Sequence, residues 1–166
     1  KERFIEARIS GKIPYSPYLE ENNFDETQSI NSIRRDKFIN EACNLSKQEN
    51  SLKAQQILVQ SLIIQRNFSK AEEELNYLYN LKTPELENDF GVLFYEKAKI
   101  NSNPEFISQA INHYDTAIEK ESNYVEAIFN KAQVYQSIYL KYQAKQEWLH
   151  YISLDHSSGW NLEANK

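Results

Sequence analysis

Three stretches of this chain repeat one arrangement of small and large side chains. Val59-x-x-Leu62 precedes Ala71-x-x-x-Leu75-x-x-Leu78; Gly91-x-x-Phe94 precedes Ala110-x-x-x-Tyr114-x-x-Ala117; Ala132-x-x-Tyr135 precedes Ala144-x-x-x-Trp148-x-x-Tyr151. Two helices approach closely only where small residues meet. A large side chain one turn on, at i+3 or i+4 of the same face, fills the space left as the helices splay. Stacking such hairpins buries a continuous core that no single hairpin buries. The two small positions lie twelve residues apart in the first and third copies and nineteen apart in the second. An irregular bundle with coincidental spacing is the competing reading, and the match of three copies in both helices weighs against it.

Composition points the same way. Sandwiches and barrels need many turn residues, and this chain of 166 residues has three glycines and four prolines. Its 40% hydrophobic and 26% charged residues suit a soluble globular protein, and its length suits one domain.

The segment KERFIEARISGKIPYSPYLEENNF reads as a short helix through about Ile9, ended by Gly11. Pro14 and Pro17 then hold Ile13 and Ser16 extended. A helical stripe of Ile30, Ile33, Phe38, Ala42 and Leu45 begins at Glu26 and runs to about Lys47. Asn50 or Ser51 can cap the next helix, Asn67 breaks the pattern, and Pro84 and Pro104 suit first helical positions. Ser157 or Ser158 can cap a final short helix carrying Trp160 and Leu162. No stretch reads as a strand. The organisation is residues 1–25 as an N-terminal segment and 26–166 as one helical domain, with repeats over about 51–83, 84–122 and 125–156 and a cap at 157–166.

These positions resemble the tetratricopeptide repeat, whose period is about 34 residues. Ala110 to Ala144 spans 34 positions. Ala71 to Ala110 spans 39, which requires an insertion, placed at INSNPEF. The resemblance implies an all-α superhelix of about three hairpins, with a degenerate helix before them and a capping helix after. Tyr139 stands where the family prefers glycine, Ser122 and His156 replace its closing proline, and Val59 replaces a Gly or Ala. A narrower resemblance lies in NDFGVLFYEKAK, VEAIFNKAQ and YISLDHSSGWNLEA. These are similar to the repeat region of large bacterial signalling proteins, in which such repeats precede a caspase-like peptidase domain. The peptidase residues would then lie outside this sequence.

In the tetratricopeptide family the first helix of each pair lines a concave groove. The resemblance therefore implies a binding face formed by Gln56, Gln60, Asn88, Val92, Tyr95, Glu126, Phe129, Gln133 and Gln136. The amides could hydrogen-bond an extended backbone, with Tyr95 and Phe129 as aromatic anchors; Val92 and Phe129 read equally well as core. Family members that grip a terminal carboxylate use Lys and Arg at such positions, and here they are Gln, Asn, Val and Glu. The expectation is a non-enzymatic scaffold that binds a protein or peptide, or another domain of its own chain, with self-association open. A second hypothesis has the IPYSPY segment fold back into the groove. Deleting residues 1–25 separates the two.

Other chemistry finds little support. Residues 1–60 carry nine basic and nine acidic side chains, the remainder ten and fifteen, which argues against a nucleic-acid partner. Cys43, the lone cysteine, lies beside Ala42 on a helical stripe and reads as a small buried hydrophobe; the competing reading, an enzyme acting through it, predicts loss of activity in Cys43→Ala. His113, His150 and His156 lack the i+3 or i+4 histidine partner of a helical metal site. The three glycines are isolated and form no phosphate loop. Glu72-Glu73-Glu74 reads as a solvated helix face. No catalytic residue, cofactor or metal is expected. No apolar run approaches the ~18 residues of a membrane span, and no signal peptide is visible. Methionine is absent even at position 1, the expectation for a piece of a longer protein, and the compartment stays open.

Overall fold

Four helices begin where a side chain accepts a free backbone amide. Ser51 accepts the N–H of Ala54 and opens α1 (Leu52–Ile64). Thr83 accepts the N–H of Leu86 and is followed by Pro84 at the head of α3 (Pro84–Asn101). Asn103 and Pro104 open α4 (Pro104–Lys120) in the same way, and Ser158 caps α7 (Gly159–Ala164). Between them lie α2 (Phe68–Leu78), which runs into a 3-10 turn at Tyr79–Leu81, α5 (Val125–Ser137) and α6 (Lys141–Leu154). The proline uses the one position where its missing N–H costs nothing.

This computed structural model describes residues 7–11, positions 37, 40, 41, 43, 44, 46, 48 and 49, and 51–165. Among the described residues there are seven bounded α-helices and no strand. Lys37, Asn40, Glu41, Cys43, Asn44, Ser46 and Gln48 are also helical, within or next to the span expected to be a helix. The remainder of that span and the whole IPYSPY segment lie outside the described residues.

Consecutive helices pack in pairs: α1 with α2, α3 with α4, α5 with α6. The first helices of the pairs also pack along one another, α1 on α3 and α3 on α5. The small positions do sit inside, with Ala71, Ala110 and Ala117 wholly buried and Ala144 nearly so. At Gly91, however, the neighbour is an aromatic ring rather than a second small residue. A Cβ there would overlap the ring of Tyr114, which is itself wholly buried. Gly91 is thus a slot for Tyr114. Replacing a helical glycine by alanine ordinarily gains about 1 kcal/mol, whereas overpacking a core costs about 1–3 kcal/mol. Because the overlapping ring is wholly buried, Gly91→Ala is expected to lower the unfolding free energy by about 1 kcal/mol or more. Urea denaturation of the variant and of Gly91→Ala/Tyr114→Leu, which reopens the slot, measures this.

One turn bears the strain that a departure in the sequence implies. Tyr139 adopts a left-handed φ of 61° between α5 and α6, where a glycine would be unstrained. Arg66, at φ 59°, ends α1 before Asn67.

One expectation fails. Residues 7–10 are not helical. A helix would need the Arg8 and Ser10 backbone groups for its own ladder, and they are bonded instead to side chains of α3, α5 and α1. Gly11 does turn the chain, at φ 100°.

Candidate functional site

The face shared by α1, α3 and α5 carries a row of polar side chains where a core helix would ordinarily be apolar. Asn88, Asp89 and Asn130 are all wholly buried. Buried amides and carboxylates must find partners or cost stability. Here the partners are the backbone of residues 8 and 10.

Asn130 takes both polar groups of Arg8. Its Oδ1 accepts the Arg8 N–H at 2.6 Å and its Nδ2 donates to the Arg8 carbonyl at 2.8 Å. Asn88 donates to the same carbonyl at 3.0 Å, and its own Oδ1 accepts from Asn130 Nδ2 at 2.9 Å. Two residues on, Asp89 Oδ1 accepts the Ser10 N–H at 3.0 Å, and Gln60 Nε2 donates to the Ser10 carbonyl at 3.0 Å. Gln60 and Gln56 also donate to the second oxygen of Asp89, at 3.1 and 3.4 Å. The Ser10 hydroxyl accepts from Asn88 and donates to the carbonyl of Glu85. Between these grips, Ala7 and Ile9 join the apolar core with Val59, Leu86 and Phe90. The face therefore holds a short non-helical segment through its backbone at alternate residues, with the intervening side chains in the core.

The Arg8 side chain runs toward the second cluster, where Phe129 packs edge-on against Trp148, Tyr151 and Trp160 with centroids 5.0–5.2 Å apart. Its Nη1 donates to the Tyr151 hydroxyl at 2.7 Å, and its Nη2 lies 3.8 Å from Glu126. Tyr151 in turn donates to Asp155, which also accepts from the Ser158 hydroxyl. Burial alone would raise the Asp155 carboxyl, but these donors hold it below its ordinary range.

Of the residues expected on the face, Gln56, Gln60, Asn88, Glu126 and Phe129 converge around residues 8–10. Val92 and Tyr95 are core: Val92 is wholly buried and Tyr95 lies under the Lys99 ammonium, 5.1 Å from its ring. Gln133 is half-buried, and the exposed Gln136 accepts from the Trp148 indole. Asp89, Asn130 and Tyr151 were missed. A signal for two of them exists, since Asp89 and Asn130 each stand two residues before the small positions Gly91 and Ala132. Elsewhere, His113 bonds Glu87 at 2.9 Å and stacks on Phe90 and Phe94. Cys43 is half-buried. Among the described residues no cluster of His, Cys, Asp and Glu could hold a metal ion, and no helix is long and apolar enough to cross a membrane.

Burial pushes the Asp89 carboxyl up to about 6, although the Ser10 N–H and the Gln60 and Gln56 amides favour its charged form. A carboxyl raised on folding stabilises the fold fully below its unfolded value, about pH 4, and that contribution is lost as pH rises through about 6. Relative to Asp89→Asn, the wild type is expected to lose up to about 3 kcal/mol of stability between pH 4 and 7. Paired urea titrations across that range read the difference directly. Compared with known proteins, the chain matches no family model and no curated protein.

Proposed function

We propose that this region is a tetratricopeptide-like helical repeat that binds an extended peptide on the face of α1, α3 and α5. One observation carries the reading: the buried Asn88, Asp89 and Asn130, with the half-buried Gln60, spend polar groups on the backbone of residues 8 and 10. Side chains that bond only one another make a core network. Side chains that bond the amide and carbonyl of a separate extended segment have the arrangement by which peptides are held. The residues that do this act by binding and have no catalytic part.

The occupant belongs to the same chain, and this favours a second reading of the same site. The face then positions a neighbouring part of its own protein, as the resemblance to bacterial signalling proteins with a peptidase domain implies. The two readings share the site and differ in whether its occupant exchanges.

A chain lacking residues 1–11 and a labelled peptide of residues 1–12 distinguish them. Exchange predicts that the shortened chain stays helical by circular dichroism and binds the peptide, and that Asn88→Ala/Asn130→Ala removes the binding. A folded shortened chain that ignores the peptide contradicts the peptide-site reading. A shortened chain that no longer folds makes the segment a structural element.

A further inference from the structure

The backbone grips on residues 8 and 10 are indifferent to sequence, because every residue but proline offers the same N–H and C=O. Selectivity has to come from the side chains. Two of those side chains enter closely fitted surroundings.

The Arg8 guanidinium carbon lies 5.2 Å from the ring centre of Trp160, 5.6 Å from Tyr151 and 5.7 Å from Phe129. The same group points one edge nitrogen at the Tyr151 hydroxyl, 2.7 Å away, and another toward Glu126 at 3.8 Å. Arg8 is 9% exposed and Glu126 6%. A planar cation can offer its face to rings and its edge to acceptors at once, and a lysine ammonium, a compact point charge, cannot. Arginine also cannot shed its proton to escape burial, so a buried anion in the same pocket has a specific purpose. Two residues on, the wholly buried Ser10 hydroxyl donates to the Glu85 carbonyl and accepts from Asn88. A side chain without a hydroxyl there would leave the Asn88 amide without this acceptor.

We infer that the pocket of Phe129, Tyr151, Trp160 and Glu126 is an arginine-recognition site, so that the face accepts extended segments carrying Arg followed two residues later by Ser. Residues 7–10 are its built-in occupant. The inference rests on the peptide-binding reading above and adds the class of peptide.

The test uses the intact chain carrying Arg8→Ala, titrated with fluorescent peptides of residues 1–12 that hold arginine, lysine or citrulline at position 8. The arginine peptide is expected to bind about tenfold or more tightly than either of the others. Glu126→Gln in the same chain is expected to narrow the gap between the arginine and citrulline peptides, because it removes the charge that distinguishes them. Equal binding of all three peptides overturns the arginine site and leaves a peptide-binding face. A folded chain that binds none of them while its position-8 and Ser10 amides exchange freely overturns the peptide-binding reading as well; with those amides still protected as in the wild type, it overturns the arginine site alone. Should Arg8→Ala fail to fold, Arg8→Lys in the intact chain gives the same decision. Exchange of the Arg8-position and Ser10 amides about tenfold faster than in the wild type supports the site, and unchanged exchange overturns it.

Discussion

Asn130→Ala is expected to detach residues 7–10 from the helices while leaving the helices folded. The substitution removes the acceptor for the Arg8 N–H, one of two donors to the Arg8 carbonyl, and the donor to Asn88 Oδ1. Three ordinary hydrogen bonds are worth about 1 kcal/mol each, and buried groups left without partners cost about 1–3 kcal/mol. The segment can recover that cost by leaving for water, so the loss should appear as its release. A free energy of about 3 kcal/mol corresponds to a rise of about two orders of magnitude in amide exchange at residues 8 and 10. Asn130→Asp sharpens the test. It keeps an acceptor for the Arg8 N–H but turns carboxylate oxygen toward the Arg8 carbonyl and Asn88 Oδ1, so it should be at least as damaging as alanine. A residue that merely filled space would tolerate the isosteric change better.

Phe129→Ala is expected to be worse for the fold than any other change considered. Phe129 is wholly buried at the centre of Trp148, Tyr151 and Trp160. Removing a buried phenylalanine ring costs about 3–5 kcal/mol, through lost transfer energy and the cavity left behind. Both tryptophans of the chain belong to this cluster, so their fluorescence reports on it. The variant should show an emission shift toward the solvent-exposed form and a lower urea midpoint. Glu126→Gln, at the edge of the same pocket, should leave the tryptophan emission near its native position. A small effect of Phe129→Ala would mean that the three rings do not depend on it for packing. The Arg8 guanidinium, 5.7 Å from the Phe129 ring centre, covers one side of that ring. A charge placed there would be forced into the core.

Much of the helical organisation was legible because its signals are local. Ser51, Thr83-Pro84, Asn103-Pro104 and Ser158 mark helix starts through groups within three residues of one another. Ala71, Ala110 and Ala144 are buried, as the repeated spacing requires. The part that was not legible depends on contacts between distant residues. The stretch around Ile9 has a helical pattern, and it is held non-helical by Asn130, which stands 122 residues away. A polar residue such as Asp89 or Asn130 on a helix reads as solvated unless its partner is known, and the partner is that same distant segment. Val92 and Phe129 could be read as core or as surface because periodicity alone does not decide which face of a repeat's first helix is covered. The occupied face explains Phe129, since the Arg8 guanidinium lies over it.

Amide hydrogen exchange of the intact chain, read residue by residue by NMR, tests the central claim most directly. The account predicts that the Arg8 and Ser10 amides, bonded to Asn130 and Asp89, are protected to a degree comparable with the amides of α3 and α5. Exchange of those two amides at the rate of an unstructured peptide, with α3 and α5 still protected, would contradict it.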